Sequence, residues 1–316
     1  MSRTSTLPKR LHPMLATLTG GPFDDAGWIF EDKYDGFRMV AKIERGNVTL
    51  YSRNGKIISH RYTEVAGALE RVKGDAVIDG ELVALDENGV SHFQLMQNAL
   101  RHEAKLQYCA FDLMFNDGED LRSLSLLERK KRLKEILPRN KLIAFSRHRK
   151  TEGKKFIEEA ERKGLEGIMA KRADSKYLSG ARTDNWLKIK TSKRQEVVIA
   201  GFTAPRRTRP FFGALALAVR EKNGWRYIGH VGTGFSHKTL EELHGKLIKI
   251  KTSKSPFATK VKDEAVTTWV KPSLVAEVKF TEWTTKGEMR HPVYLGLRAD
   301  KRAEDVTRER EKTRGK

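Results

Sequence analysis

Cysteine is nearly absent from this chain of 316 residues: Cys109 is the only one. That excludes an intrachain disulfide and a cysteine-based zinc centre. Cys109 lies in the apolar run Tyr108-Cys109-Ala110-Phe111, where a buried, inert thiol is expected. Long hydrophobic runs are missing too. No stretch approaches the roughly 18 apolar residues of a membrane span, and Met1 to Arg10 has no apolar secretion-signal core. A cytoplasmic protein away from the membrane is expected. The nine histidines show no metal-ligand spacing, and no Ser/His/Asp arrangement stands out. There is no G-x-x-x-x-G-K-[ST] phosphate loop, and Gly229, Gly232 and Gly234 do not follow the dinucleotide fingerprint. Any chemistry on a nucleotide would have to rest on lysine and arginine.

Acidic residues are in short supply. Against 62 Lys and Arg stand 41 Asp and Glu, a net charge of +21. That balance points to a polyanionic partner, nucleic acid first. The excess is uneven: residues 1–193 carry 36 basic and 27 acidic residues, and 194–316 carry 26 and 14. The shorter C-terminal part is therefore the stronger candidate for binding a phosphate backbone.

A chain of this length predicts two domains. Residues 1–27 read as an irregular lead-in. Strand-like runs follow at Trp28–Glu44, Val48–Ser52, Ala76–Leu85 and Leu106–Phe115, and again at Gly167–Lys171 and Trp186–Ile189. Helical patterns fall at Tyr62–Val72, Leu124–Leu137 and Lys154–Lys163, the second with an apolar stripe of Leu127, Leu133, Ile136 and Leu137. This mixture predicts an α+β domain with mostly antiparallel pairing. Lys190 to Gln195 is short and polar, a hinge. Beyond it, five strand candidates and one helix, Lys238–Ile250, suit a small β-barrel of the oligonucleotide-binding (OB) kind. The boundaries expected are 1–192 and 193–316, with a frayed charged tail from Lys301.

Glu31-Asp32-Lys33-Tyr34-Asp35-Gly36-Phe37-Arg38 sets a lysine among three carboxylates, followed by a glycine and an arginine. A lysine becomes a nucleophile once its proton is lost. Arginine supplies a fixed charge for phosphate, and glycine lets backbone approach a ligand closely. In Trp186-Leu187-Lys188-Ile189-Lys190, alternation puts Trp186, Lys188 and Lys190 on one strand face, with the two ammonium groups about 7 Å apart. Such spacing can grip a polyphosphate. Val77-Ile78-Asp79-Gly80-Glu81-Leu82 and Glu166-Gly167-Ile168-Met169-Ala170-Lys171 each carry carboxylates into apolar runs. That costs free energy unless something pairs with them, and glutamate oxygens suit magnesium.

Taken together and in order, these segments resemble the covalent nucleotidyltransferases: ATP-dependent DNA ligases, RNA ligases and capping enzymes. The family's K-x-D-G motif matches Lys33 to Gly36, with Arg38 in place. S-R-x-G matches Ser52-Arg53-Asn54-Gly55, D-G-E matches Asp79-Gly80-Glu81, E-G-x-M-x-K matches Glu166 to Lys171, and W-L-K-x-K matches Trp186 to Lys190. Toward the end, Glu277 to Thr284, Arg290-His291-Pro292 and Leu297-Arg298-Ala299-Asp300-Lys301 look like the ligase module of bacterial end-joining ligase D, either as a minimal stand-alone enzyme or as an excised module.

The resemblance implies an adenylation domain of antiparallel sheets and flanking helices, followed by an OB-fold barrel. It implies that Lys33 attacks the α-phosphorus of ATP to form lysyl-AMP. Glu31, Arg38, Arg53, Glu81, Lys188 and Lys190 would hold the nucleotide, and Phe111 would stack on adenine. Glu81 and Glu166 would hold Mg2+ (or Mn2+). Arg298, Asp300 and Lys301 would act from the second domain when it closes over ATP. Simple alternation sets Lys171 opposite Glu166 and leaves it without a role. The partners implied are nicked or broken duplex DNA and a Ku-type end-binding protein, for a monomer at the bacterial nucleoid. RNA ligation, GTP-dependent capping and non-catalytic nucleic-acid binding are the competing readings.

Overall fold

The computed structural model describes residues 7, 11–99, 105–205 and 209–309. The chain divides into two compact units at Thr191/Ser192, the second running to Glu309. The first contains β1 (Leu15–Leu18), β2 (Trp28–Asp32), β3 (Phe37–Glu44), β4 (Asn47–Ser52), α1 (Thr63–Leu69), β5 (Ala76–Leu85), α2 (Phe93–Asn98) and β6 (Lys105–Asn116). It continues with β7 (Glu119–Asp120), α3 (Leu126–Ile136), β8 (Ile143–Phe145), β9 (His148–Lys150), α4 (Gly153–Arg162), β10 (Gly167–Arg172) and β11 (Arg182–Lys190).

These strands form two sheets, one ordered β1-β11-β10-β2-β9 and the other β4-β3-β5-β6-β7, with β8 beside β6. The run from Trp28 to Glu44 is not one strand but two, one in each sheet. Lys33-Tyr34-Asp35-Gly36 is the crossover between them. The lead-in is also more ordered than expected, because Leu15–Leu18 pairs parallel with β11.

Alternation decides which side chains meet between the sheets. On β11, Leu187 and Ile189 turn outward to pack with Trp28, Phe30, Ile168 and Phe156 of α4. Trp186 turns inward, joining Val40, Val77 and Phe111 of the other sheet. Behind that second sheet, Met39, Ile43, Ile78 and Leu82 pack with Val65 and Leu69 of α1 and Leu133 of α3. β5 thus buries both faces, which explains its near-continuous apolar run.

α3 starts on a capping box, the Ser125 side chain accepting from Glu128 N–H while Glu128 accepts from Ser125 N–H at 3.0 Å. Its buried stripe differs from the one expected. Leu126, Arg129, Lys130, Leu133 and Ile136 face inward, so the helix is rotated to bury two cations in place of Leu127.

The second unit comprises β12 (Arg194–Thr203), β13 (Leu215–Glu221), β14 (Gly224–Val231), α5 (His237–Ile248), β15 (Thr267–Trp269), β16 (Val275–Lys279), β17 (Glu282–Trp283), β18 (Met289–Arg290) and β19 (Val293–Leu297). The sheet order is β14-β13-β12-β16-β19, with β15 also on β12 and β17 paired to β18. The two outer strands are brought together by a parallel bridge between Thr233 and Val293, Tyr294 N–H donating to Thr233 O at 3.0 Å. This is the five-stranded barrel topology of the OB fold. α5 is capped by Ser236 and buries Leu240, Leu243 and Leu247.

The stretch after Lys301 is less frayed than expected as far as Glu309. Ala303 and Val306 are core residues, and Arg220 N–H donates to Val306 O at 2.6 Å. The remainder of the expected tail, 310–316, lies outside the described residues.

Candidate active site

Lys33 follows the last residue of β2, and its backbone N–H donates to Gly167 O at 3.0 Å. Its Nζ forms an ion pair with Glu166, whose side chain is 4% exposed against 17% for the lysine. Strand alternation starting at Glu166 does not apply, because β10 begins at Gly167. That residue has φ +157°, and a Cβ on it would lie 2.1 Å from Ile189 O. Only glycine fits so close to β11, and the chain turns there to aim Glu166 at Lys33.

Gly36 is a glycine for a related reason. A Cβ on it would lie 2.2 Å from Leu82 O. The close approach is therefore to the backbone of β5, not to a ligand as the sequence suggested. In the Asp79-Gly80-Glu81 segment, a Cβ on Gly80 would collide with the Tyr108 ring at 2.5 Å.

Arg38 and Asp79 meet across β3 and β5 in a two-bond pair, Nε to Oδ1 at 2.6 Å and Nη2 to Oδ2 at 2.7 Å. Asp79 is fully buried and also accepts from Tyr177 Oη–H at 2.6 Å. The guanidinium, expected to meet a phosphate, instead lies 4.5 Å from the centre of the Phe111 ring. Phe111 itself is only 6% exposed, with Lys171 Nζ at 4.2 Å and the Trp186 ring at 6.0 Å.

Glu31 is 1% exposed and already has three partners: Lys130 Nζ at 2.7 Å, Lys171 Nζ at 2.9 Å and Ser146 Oγ–H at 3.0 Å. Burial opposes its charge, but the two lysines outweigh it and hold the carboxyl below the ordinary range. Burial works the other way on Lys171 and, despite Glu31, draws its ammonium below the usual lysine range. Sequence reasoning passed over Lys130, and alternation left Lys171 without the role it has here as a partner of Glu31. The spacing 126-129-130-133-136 was a readable helical signal, but charges at two of its positions hid it.

Lys188 and Lys190 are half-buried beside Trp186, on the face that alternation assigned them. Glu81 is the half-buried residue of β5 within an otherwise buried stretch. Arg53 sits in a tight turn closed by Gly55 N–H to Ser52 O at 2.8 Å, with Gly55 at φ +75°. Among the described residues no group of three or more His, Cys, Asp or Glu side chains could hold a metal ion. Of the two carboxylates expected to hold a metal, Glu166 is ion-paired with Lys33 and Glu81 is half-buried on β5. Cys109 is buried, and burial pushes its thiol up to about 12.

In the second unit, Arg298 donates to Asp300 through Nε and Nη2, each at 2.9 Å, and to Glu277 through Nη1 at 3.0 Å. Lys301 Nζ lies 2.7 Å from Glu196. Burial opposes the Glu196 charge, but Lys301 and Arg298 bring its carboxyl down to about 2.

Residues 13–190 match the family model of the ATP dependent DNA ligase domain, and 208–301 match the ATP dependent DNA ligase C terminal region. The chain is 36% identical over 315 residues to the multifunctional non-homologous end joining protein LigD of Mycobacterium bovis, covering 95% of this chain and 40% of that one. It is 30% identical to the DNA ligase of Pyrobaculum calidifontis, covering 90% of this chain and 55% of that one. A solved structure of mycobacterial DNA ligase D complexed with ATP and MES matches with a TM-score of 0.70 at 34% identity, over 95% of this chain and 98% of that one. The chain thus spans well under two thirds of the length of these curated relatives. With both ligase models matched in order and the lysine placed at the crossover between two sheets, the chain belongs to the ATP-dependent DNA ligase family.

Proposed function

We propose that this chain seals breaks in duplex DNA that carry a 5′-phosphate and a 3′-hydroxyl, using ATP. The observation that carries the reading is the setting of Lys33, on the crossover between the sheets, paired with Glu166 and beside the strand that bears Lys188 and Lys190. In the first step the Lys33 amine attacks the α-phosphorus of ATP in line, a P–N bond forms, and pyrophosphate leaves. AMP then passes to the DNA 5′-phosphate. The 3′-hydroxyl displaces AMP and closes the phosphodiester.

Transfer at phosphorus depends on positioning and on neutralising charge more than on covalent help. Lys188 and Lys190 supply cations toward the phosphates, and Arg53 serves the nucleotide or a DNA phosphate. Magnesium, when bound, would neutralise phosphate charge, and Glu166 and Glu81 are the carboxylates that would hold it. Phe111 lies deep enough to floor the adenine site. Arg38 and Glu31 serve that floor through their ion pairs. Arg298 and Lys301 belong to the second unit, so their part requires that unit to come to the nucleotide.

The reading extends to an adenylation domain at 1–192, an OB domain at 193–316, a monomer on the bacterial nucleoid, and end joining beside a Ku-type protein. The names of the LigD relatives support end joining; the Ku-type partner is part of the proposal.

The test is incubation with α-labelled ATP and magnesium, without DNA, beside a GTP control. Label that survives denaturation, is released by acid and disappears in Lys33→Ala is the expected result. Label from GTP alone moves the reading to capping, and no label from protein already stripped with pyrophosphate overturns it. Sealing of a nicked DNA duplex against its RNA counterpart then separates DNA from RNA ligation.

A further inference from the structure

Lysines gather on one part of the second unit, none of them a residue placed in nucleotide chemistry. From Lys246 to Lys271 the sequence holds seven lysines against two acids, Asp263 and Glu264. Four of the lysines, Lys249, Lys251, Lys254 and Lys271, line one open concavity of about 550 Å³ between the end of α5 and β15, and none of its lining residues is acidic.

The helix end accounts for only part of this. Cations near a helix C-terminus offset its partial negative charge, which covers Lys249 at the cap. Lys254 and Lys271 lie off the helix. The floor beneath them is pinned: Lys271 N–H donates to Ile250 O at 2.8 Å, Thr252 N–H donates to Trp269 O at 3.0 Å, and Lys251 bridges Val270. Phe257, packed edge-on to Trp269 at 5.6 Å, anchors the loop that carries Lys254. With no acidic side chain in the lining, the four exposed lysines make a positively charged concavity on a pinned floor, complementary to an anion.

We propose that this cradle binds consecutive backbone phosphates of the DNA duplex. The site is separate from the second and third strands of the barrel, β13 and β14, the face through which OB folds usually hold oligonucleotides. The inference rests on the reading of the chain as a DNA ligase. Backbone contacts of this kind carry no base preference, so the cradle adds affinity and register without sequence selectivity.

The experiment compares the full chain with Lys249→Ala/Lys251→Ala/Lys254→Ala/Lys271→Ala and with a control of equal charge loss, Lys73→Ala/Lys141→Ala/Lys154→Ala/Lys222→Ala. Binding of a nicked duplex is measured from 50 to 200 mM salt. Each phosphate contact adds about 0.9 to the slope of log affinity on log salt, so the cradle variant is expected to lose about 3 to 4 from that slope and the control less than about 1. Equal changes in the two variants, or none in either, overturn the proposal. Lysyl-AMP formation without DNA is the separate readout: its absence from the unaltered chain sinks the ligase reading while the salt slopes still judge the cradle. Should the fourfold variant misfold, Lys249→Ala/Lys251→Ala and Lys254→Ala/Lys271→Ala take its place, each expected to lose about 2 from the slope.

Discussion

Arg38 and Asp79 hold each other across adjacent strands through two hydrogen bonds of 2.6 and 2.7 Å, at a carboxylate that water does not reach. Breaking a buried pair by removing one partner costs about 3–5 kcal/mol, because the other charge is stranded. Asp79→Ala is therefore expected to lower unfolding free energy by about that much, and Arg38→Met in the same chain to restore a good part of it. Urea titration of the two single variants and the double decides. A single-variant loss below about 1 kcal/mol would show that the pair is not stabilising in this sense.

Lys33 has no substitute. Lys33→Arg keeps a cation next to Glu166, but a guanidinium does not give up its proton to become a nucleophile. Both Lys33→Arg and Lys33→Ala are expected to form no lysyl-AMP. Each should still join a nick supplied with AMP already on its 5′-phosphate, since that step needs no new lysine bond. Gel assays on the two substrates measure this, and lysyl-AMP from the arginine variant would count against the assignment.

Two glycines should respond oppositely to alanine. At Gly36 the new Cβ would meet Leu82 O at 2.2 Å, and the overpacking is expected to cost about 1–3 kcal/mol. The same shift would move the crossover that carries Lys33, so the rate of lysyl-AMP formation should fall as well. Gly67 is exposed within α1 and has open space where its Cβ would be. Gly67→Ala is expected to stabilise by up to about 1 kcal/mol. Paired melting curves test the contrast, and a shift of the same sign in both variants would refute it.

Lys301 and Glu196 predict an acid-sensitive contribution. The folded Glu196 carboxyl lies near 2 against an ordinary value of 4.5. Its stabilisation is therefore present in full above about pH 4.5 and is lost as the pH falls toward about 2. About a quarter of its side chain meets water, 26% by surface, so about 1–2 kcal/mol is a reasonable size after screening. Glu196→Gln should be less stable at pH 7 and show a shallower decline between pH 5 and 2. Parallel stability curves for the two proteins would exclude this role.

Glu31 carries the largest expected loss outside the Arg38 pair. Glu31→Ala leaves Lys130 and Lys171 buried together without their shared carboxylate, at an expected cost of about 3–5 kcal/mol. Glu31→Ala/Lys171→Met should recover part of it, measured in the same urea titration. No recovery would mean that Lys130 alone requires the carboxylate.

The sequence by itself determined the class of chemistry and the order of the parts. Short motifs such as Lys33-Tyr34-Asp35-Gly36 and Trp186 to Lys190 are local, and alternation along β11 correctly assigned Trp186 and Lys188 to one face because a strand repeats every two residues. Tertiary structure alone decided what those residues touch. Nothing local shows that Trp28 to Glu44 leaves one sheet for another, that Gly36 is shaped by Leu82 rather than by a ligand, or that Arg129 and Lys130 turn into the interior of α3's packing. A buried charge is tolerated only when its partner arrives from elsewhere in the chain. Glu31 meets Lys130 and Lys171 from α3 and β10, and Asp112 meets Arg129 at 2.7 Å. Such pairings span from 17 to 140 residues of sequence, and they exist only once the two sheets and α3 have packed.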